Sequence, residues 1–175
     1  RAQLETGQVQ EGMANLIQAA GGDHEWAINT LAVVYAFGRY GQKQDLVQAR
    51  RWCARSADLG NPLAMYCMGS LYHAGQGGPK DPQKALYWLS KAADANIDDA
   101  RADLAFILWN GMGVPADKER ALALWTASAK RGHARSQSQL RPKLGSWDYF
   151  WQVEQAELIS SLFPKNQNAW WVPVA

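Results

Sequence analysis

A glycine-rich stretch, GQGGPKDPQKAL from Gly75 to Leu86, contains residue types that could bind a phosphate group. The backbone N–H groups of such a loop, together with the positive end of a following helix, attract anions. A nucleotide-binding loop of this kind follows a β-strand and ends in Gly-Lys-Ser/Thr. Here the preceding residues, AMYCMGSLYHA, have a helical pattern, and Lys80 lacks that context. We therefore interpret the stretch as a turn between two helices.

The same loop recurs 36 residues later as GMGVPADKERAL, beginning at Gly111. Ten spaced positions agree at this offset, between one copy that starts at Ala64 and another that starts at Ala100. An earlier copy from Ala27 fits after one inserted residue in its loop, and a half copy precedes it. A repeat of this length indicates a solenoid, in which each unit packs on its neighbours.

Each copy predicts a pair of helices. The first helices are expected over 25–37, 62–74 and 98–110, and the second helices over 45–59, 81–95 and 117–131. Asp45, Asp81 and Asp117 stand at the starts of the second helices, where a carboxylate can accept hydrogen bonds from free N–H groups. The predicted fold class is therefore all-α, a solenoid of antiparallel αα-hairpins of about 36 residues each.

These spaced residues resemble the Sel-one-like (Sel1-like) repeat family, a relative of the tetratricopeptide repeats. The copy from Ala64 to Asn96 matches the pattern A-x3-L-G-x2-Y-x2-G-x-G-V-x2-D-x3-A-x2-W-x3-A-A-x2-G at nearly every position. The next copy has Ala105 in place of the first-helix glycine, and its tryptophan is displaced to Trp125. The resemblance implies a right-handed α-solenoid. It also implies a scaffold or adaptor surface for other proteins, and many bacterial members work in or beyond the cell envelope.

The predicted domains are a solenoid over 1–141 and a C-terminal segment over 142–175. The solenoid comprises a half repeat, three full repeats and a fourth that begins at Leu140 but is expected to end at Pro142. The C-terminal segment is predicted to form a capping helix and a tail that contains Trp170 and Trp171. An end repeat cannot bury its own stacking face, so a cap is expected there.

The composition limits the class of partner. The net charge of the 175 residues is +2 and no run of Lys or Arg occurs, so we expect no nucleic-acid partner. No apolar run is long enough to span a bilayer. The chain begins at Arg1 rather than Met, which is expected after a cleavage or at the boundary of an expressed segment.

The histidines give little support for catalysis. His24 and His133 fall at the repeat position that Asn61 and Ile97 occupy elsewhere, and a position that accepts all these types is a turn position. His73 stands near the end of a predicted first helix, where a surface or groove role is favoured over metal ligation. No His-Glu-x-x-His, Cys-x-x-Cys, Gly-x-Ser-x-Gly or Ser-x-x-Lys pattern occurs. We therefore expect no catalytic residue, no metal and no cofactor.

The surface of the first helices is the remaining candidate for function. In tetratricopeptide-like stacks these helices line the concave side, and their non-signature residues are unusually apolar here. The sequence predicts a non-catalytic scaffold or adaptor that binds another protein or peptide in the concave groove; a bacterial regulatory or immunity partner is one specific version. The alternatives are a glycan-binding module that uses the aromatic residues, or a groove filled by Trp170 and Trp171. The predicted partner-binding residues are Asn29, Val33, Phe37, Tyr66, Ser70, His73, Arg101, Phe106 and Trp109.

The two cysteines, Cys53 and Cys67, are predicted to be neighbours. They lie seven residues before and seven after the turn centred on Gly60, and residues equidistant from a turn lie at the same height in an antiparallel pair. A pair of buried reduced thiols is favoured over a disulfide. A bonded pair would indicate an oxidising compartment. The predicted location is periplasmic or secreted, with the cytoplasm as the alternative.

Overall fold

The computed structural model describes residues 2–144, and this part of the chain forms eight α-helices and no β-strand. The predicted all-α fold class is therefore confirmed. The chain divides into two compact units, Arg1–Ala100 and Arg101–Ala175. The helices are α1 (Ala2–Gly21), α2 (Glu25–Phe37), α3 (Leu46–Asp58), α4 (Pro62–Ala74), α5 (Pro82–Asp94), α6 (Asp98–Asn110), α7 (Lys118–Lys130) and α8 (Ala134–Leu144).

The helix boundaries follow the repeat pattern. The first helices α2, α4 and α6 have the bounds predicted from the sequence, and the second helices α3, α5 and α7 are one residue shorter at each end. At the N-terminal end the difference arises because the aspartates cap the second helices from outside. In Asp45, Asp81 and Asp117 the side chain accepts a hydrogen bond of 2.9–3.0 Å from the backbone N–H three residues later. This bond from Lys84 N–H lowers the pKa of the Asp81 carboxyl group below its ordinary value.

Small residues allow the helices of a hairpin to approach closely. A Cβ atom added to Gly69 on α4 would lie 2.5 Å from Cγ of Leu89 on α5, so a larger side chain at this position would force the helices apart. In the preceding hairpin the same positions hold Ala32 and Cys53, which belong to one buried cluster. The repeat therefore pairs a small residue on the first helix with a residue that fills the space on the second helix.

The glycine-rich loop after α4 packs on the preceding repeat, and its interpretation as a turn between helices is confirmed. Gly75 ends α4 in the left-handed conformation, which glycine adopts without steric cost. Gly77 approaches the first residue of α3 so closely that a Cβ atom would overlap the carbonyl oxygen of Leu46. Arg50 of α3 lies 3.9 Å above the Tyr72 ring. The glycines of this loop therefore serve packing between repeats.

Cys53 on α3 and Cys67 on α4 form a disulfide bond, with their Cα atoms 6.4 Å apart. The prediction that they are neighbours is confirmed, whereas the preference for reduced thiols was wrong. Ala57 and Ala64, both at most 6% exposed, mark the facing surfaces of the two helices. Because these residues are small, the helices come close enough for a disulfide, which requires Cα atoms about 4.4–6.8 Å apart. The bond joins the second helix of one repeat to the first helix of the next.

The fourth repeat extends further than predicted. Leu140 is fully buried, as its repeat position requires, but α8 continues through Pro142 to Leu144. The prediction that Pro142 ends the helix was therefore wrong. Proline disturbs the hydrogen bonding of the preceding turn, and here the Lys143 ammonium group donates a 3.0 Å hydrogen bond to the backbone oxygen of Gln139 in that turn. The predicted capping helix and the tail with Trp170 and Trp171 lie outside the described residues.

We expect Gly77→Ala to destabilise the protein more than Gly41→Ala. The φ angles of the two glycines, 68° and 71°, are nearly equal, so both substitutions introduce similar backbone strain. Only the Cβ at position 77 would overlap the Leu46 carbonyl oxygen, because no atom lies within 4 Å of a Cβ at position 41. Urea denaturation should show a loss of unfolding free energy that is larger for Gly77→Ala by about 1–3 kcal/mol. Equal losses would contradict this account of the loop.

Thiol titration in denaturant should detect no free cysteine before reduction and both cysteines after it. The double substitution Cys53→Ala and Cys67→Ala should lower the free energy of unfolding by about 2–4 kcal/mol, because the cross-link restricts the unfolded chain. The same measurement on the reduced wild-type protein is the control, since reduction removes the bond without changing any residue. Free thiols in the unreduced protein would contradict the pairing.

Candidate protein-binding site

The predicted residues of α2 differ in what they contact. Val33 and Phe37 are exposed, at 41% and 68%. Asn29 is half-buried, and its side-chain oxygen accepts a hydrogen bond from the hydroxyl group of Ser56 on α3. Ser56 is fully buried, so this bond satisfies a hydroxyl group inside the hairpin. The side chain of Asn29 therefore joins α2 to α3, while Val33 and Phe37 present apolar surface.

The predicted residues of α4, Tyr66, Ser70 and His73, are all partly buried. The Ser70 hydroxyl oxygen and the His73 Nδ1 atom are buried and make no hydrogen bond in the part of the chain that the structure describes. These two residues are one helical turn apart, so they lie on the same face of α4. Two polar atoms with unused hydrogen-bonding capacity thus occupy one face of this helix.

On α6, in the second unit, the structure brings Phe106 and Trp109 to neighbouring positions one turn apart. Phe106 is 39% exposed and Trp109 is half-buried, as is Arg101 one to two turns earlier. The Trp109 ring packs against Trp125 of α7, with 5.7 Å between ring centroids. The indole of Trp109 therefore has one side in the hairpin core, while Phe106 remains available at the surface.

Two lysines place positive charge beside Trp109. The Lys118 and Lys143 ammonium groups lie 5.4 Å and 5.3 Å from the centroid of its ring, within the range of cation–π attraction. Lys143 also lies 4.5 Å from the Trp125 ring, and partial burial lowers the pKa of its ammonium group below the ordinary value. This part of the second unit combines aromatic surface with positive charge.

The structure adds two exposed aromatic residues that the sequence analysis did not identify. Trp26 on α2 and Tyr40 in the following loop are 66% and 59% exposed. They line a cleft of about 550 Å³ between α1 and α2, together with Gln8, Val9, Gly12, Met13, Asn15, Leu16, Ala19 and Thr30. A signal in the sequence could have identified Trp26. It lies seven residues before Val33 and eleven before Phe37, a helical spacing that places all three side chains on one face of α2.

His24 and His133 were predicted to lie at a turn position, and each lies between the turn after a second helix and the start of the next helix. His24 is the N-cap residue of α2, at the position where Asn61 caps α4 through a 3.0 Å hydrogen bond. His133 precedes α8, and its Nδ1 atom lies 2.8 Å from the hydroxyl oxygen of Ser136. Within residues 2–144, no three His, Cys, Asp or Glu side chains come close enough together to hold a metal ion.

Over the same described range, no helix is both long and apolar enough to cross a membrane.

Tandem helical hairpins with aspartate-capped second helices and glycine-containing loops define an α-solenoid of helical repeats. The family model of the Sel1 repeat matches residues 27–61, 62–97 and 98–133. The chain therefore belongs to the Sel1 repeat family, whose repeats typically mediate protein–protein interaction and whose members are generally non-catalytic scaffolds.

Curated relatives of the chain are named as regulators. It is 33% identical over 108 residues to the exopolysaccharide production negative regulator of Rhizobium leguminosarum bv. viciae, covering 60% of this chain and 39% of that protein. It is 30% identical over 100 residues to chitin synthase regulatory factor 3 of Schizosaccharomyces pombe, covering 54% and 11%. The match to the chitin synthase regulator SKT5 of Saccharomyces cerevisiae is 28% over 131 residues, covering 74% and 19%. The chain thus spans a minor part of each relative.

Solved structures share the fold. A Sel1 repeat protein from Oxalobacter formigenes superposes with a TM-score of 0.70 at 26% identity, covering 81% of this chain and 62% of that one. The protective antigen c5321 of uropathogenic Escherichia coli superposes with a TM-score of 0.73 at 22% identity, covering 83% and 33%. Both confirm the assignment of the fold as a Sel1 repeat solenoid.

We expect Asn29→Ala to lower the free energy of unfolding by about 1–3 kcal/mol, because it leaves the buried Ser56 hydroxyl group without its acceptor. Val33→Ala on the same helix should cost less than about 1 kcal/mol, because Val33 is exposed. Chemical denaturation of both variants checks this difference. If Asn29→Ala is as stable as wild type, the side chain of Asn29 is not a structural element of the hairpin.

Proposed function

We propose that the chain is a non-catalytic regulatory adaptor that binds a partner protein or peptide through the exposed face of its first helices. The observation that carries this proposal is the exposure of large apolar side chains on those helices. Val33, Phe37 and Phe106 are 41%, 68% and 39% exposed. Exposed apolar surface of this kind is typical of interaction sites, and aromatic residues supply most of the binding energy in many interfaces.

Each unit offers polar groups beside its apolar ones. In the first unit, Ser70 and His73 lie on the same face of α4, and each has a buried polar atom without a hydrogen bond in the described chain. In the second unit, Lys118 and Lys143 attract acidic side chains toward the surface beside Phe106 and Trp109. The partner we propose therefore presents apolar anchors, together with acidic groups for the surface beside Phe106 and Trp109.

The names of the relatives support a regulatory role. Two are named as regulators of chitin synthase and a third as a negative regulator of exopolysaccharide production. Each of these names describes a protein that regulates the production of a polysaccharide. We infer that the partner of this chain is likewise a component of an enzyme system, which it controls by binding.

The disulfide supports a location in the periplasm or outside the cell. Disulfides between structural cysteines persist in oxidising compartments and are rare in the cytosol of mesophiles. Cys53 and Cys67 are paired, and no free cysteine occurs in the described part of the chain. We therefore place the proposed interaction in such a compartment.

The glycan-binding alternative has less support from the geometry. A sugar ring that stacks on an indole needs one open face of the ring. Trp109 packs against Trp125 and has the Lys118 and Lys143 ammonium groups within 5.4 Å of its centroid, so little of the indole is open. The protein-binding function is the one that we propose.

The test compares proteins captured by the immobilised wild-type chain with those captured by a Phe106→Ala, Trp109→Ala variant, identified by mass spectrometry. We expect the variant to lose the specific partner, because truncation of two central aromatic residues costs about 2–4 kcal/mol of binding free energy. The matched control is Tyr87→Ala, which removes a 52% exposed aromatic residue from a second helix and should retain the partner.

Circular dichroism must show that the double variant is folded, and Phe106→Ala alone provides a milder variant if Trp109→Ala disturbs the contact with Trp125. A partner that is captured equally by wild type and both folded variants would refute this assignment of the face. Tryptophan fluorescence titrated with peptidoglycan or exopolysaccharide fragments covers the alternative. Saturable quenching that Trp109→Ala abolishes would favour glycan binding over the proposed function.

A further inference from the structure

The two ends of the hairpins in the first unit carry opposite charges. Because the helices of a hairpin are antiparallel, the loops inside the hairpins lie at one end and the turns between repeats lie at the other. The end with the turns, which we call the acidic edge, holds six of the ten Asp and Glu residues in the range 2–100: Asp23, Glu25, Asp58, Asp94, Asp98 and Asp99. The end with the loops and the helix turns beside them, the basic edge, holds Arg39, Lys43, Arg50, Lys80 and Lys84. Surfaces of opposite charge attract each other.

Most cations of the basic edge have no carboxylate partner. Lys84 forms an ion pair with Asp81 at 3.4 Å, and it is the only member of this edge with an ion pair in the part of the chain that the structure describes. Asp45, the other carboxylate near these cations, caps α3 by accepting a hydrogen bond from the Gln48 N–H. The basic edge therefore has positive charge that carboxylates from another molecule can compensate.

Arg50 is held in place at the basic edge by contacts that leave most of its donors unused. Its guanidinium group lies 3.9 Å from the centroid of the Tyr72 ring, and the Lys84 ammonium group lies 5.4 Å from the same centroid. Of its N–H donors, only those on Nη1 meet an acceptor within residues 2–144, the carbonyl oxygen of Pro79 at 3.5 Å. A guanidinium group that is ordered in this way can receive a carboxylate in bidentate geometry.

The positive charge at position 50 is not part of the repeat pattern. The residues at the equivalent position of the next two second helices are Leu86 and Leu122. Leu122 is 5% exposed, so a leucine at this position packs inside the repeat. The guanidinium group of Arg50 is therefore a charge that the repeat fold itself does not require.

The carboxylates of the acidic edge have the same spacing as the cations of the basic edge. Asp58 and Asp94 are exposed, and neither forms an ion pair within the described ranges of the chain. They occupy the same position in successive repeats, and the loops that hold Lys43 and Lys80 are also one repeat apart. Two copies placed side by side in register can therefore bring each carboxylate to a cation.

Each edge also exposes large apolar side chains. On the acidic edge, Leu59 and Leu63 flank the turn between α3 and α4 and are 49% and 65% exposed. On the basic edge, Phe37 and Val47 are 68% and 64% exposed, and Val47 stands one helical turn before Arg50. Apolar contact supplies affinity that charge pairing alone does not. The two edges thus match in apolar surface as well as in charge.

We propose that the basic edge of one chain binds the acidic edge of a second copy. Asp58 of one copy meets Arg50 of the next, Asp94 meets the cations of the loop that holds Lys80, and Leu59 covers Val47. The two contacting surfaces differ, so the interface is heterologous and leaves one free edge at each end of the assembly. Dimers and longer oligomers therefore form as the concentration of the chain rises. This association involves the first unit and is separate from the surface beside Phe106 and Trp109.

Sedimentation velocity of the full chain tests the association directly. At about 20 mM salt the weight-average mass should exceed the 19.4 kDa of the single chain and should rise with concentration. At about 500 mM salt the mass should return toward that of the single chain, because exposed charges are screened. Arg50→Leu installs the residue that the other copies hold, so the fold should persist while self-association weakens by at least about tenfold.

A pair of charge-reversal variants tests which surfaces meet. The first variant, Lys43→Glu with Lys80→Glu, reverses the basic edge, and the second, Asp58→Lys with Asp94→Lys, reverses the acidic edge. Each variant alone should remain a single chain, because its two edges now carry the same charge. An equimolar mixture should associate again, because each variant still supplies one unchanged edge. This recovery cannot arise if the variants are misfolded.

The matched control is Arg120→Glu with Lys130→Glu, which makes the same change in net charge on exposed residues of α7 in the second unit. It should self-associate as the wild type does, and so should Phe106→Ala with Trp109→Ala, which keeps this test independent of the proposed function. A wild-type chain that stays single at every concentration and salt would overturn the proposal, as would a mixture that fails to associate. A single chain whose Arg50 is needed to bind a labelled glutamate-rich peptide would assign the basic edge to another protein and would also overturn it.

Discussion

The close approach of neighbouring helices is the constraint on which the rest of this structure depends. Gly69 has space for no Cβ atom beside Leu89, and Ala57 and Ala64 are buried where α3 faces α4. Larger residues at these points would separate the helices, and overpacking of this kind costs about 1–3 kcal/mol per site. Because the helices are close, Ser56 of α3 can donate a hydrogen bond to Asn29 of α2. Cys53 and Cys67, at the same height on α3 and α4, can form a disulfide bond.

The same constraint explains the glycine loops, whose sequence resembles a phosphate-binding loop. Such a loop exposes its N–H groups to a ligand, whereas here Gly77 turns the backbone against Leu46 of the preceding repeat. Arg50 lies over the Tyr72 ring and donates a hydrogen bond to the carbonyl oxygen of Pro79 in the loop. The loop residues that resemble a phosphate-binding site therefore pack between repeats. The surface that remains for the proposed function is formed by side chains of the first helices.

The features predictable from sequence are those that every copy of the repeat specifies. The bounds of the first helices and the aspartate caps were predicted because three copies share one local pattern. The redox state of Cys53 and Cys67 was not predicted, because it depends on an interhelical distance that side-chain volumes determine jointly. The role of Asn29 escaped prediction for a similar reason, since its partner Ser56 lies 27 residues away on another helix. Local pattern fixes helices, whereas contacts between helices decide what each side chain does.

The cleft between α1 and α2 shows that one repeat position can be buried in one copy and exposed in another. Inside the array, each second helix buries its hairpin face against a first helix, so residues such as Leu89 become core. At α1 the same register leaves Leu16 and Gly12 open, because no described helix occupies that side. Glycine and leucine also occur at buried positions of the repeats, so the residue types at positions 12 and 16 do not predict their exposure. The exposure of a given repeat position therefore depends on which helices pack against it, and residue type alone does not determine it.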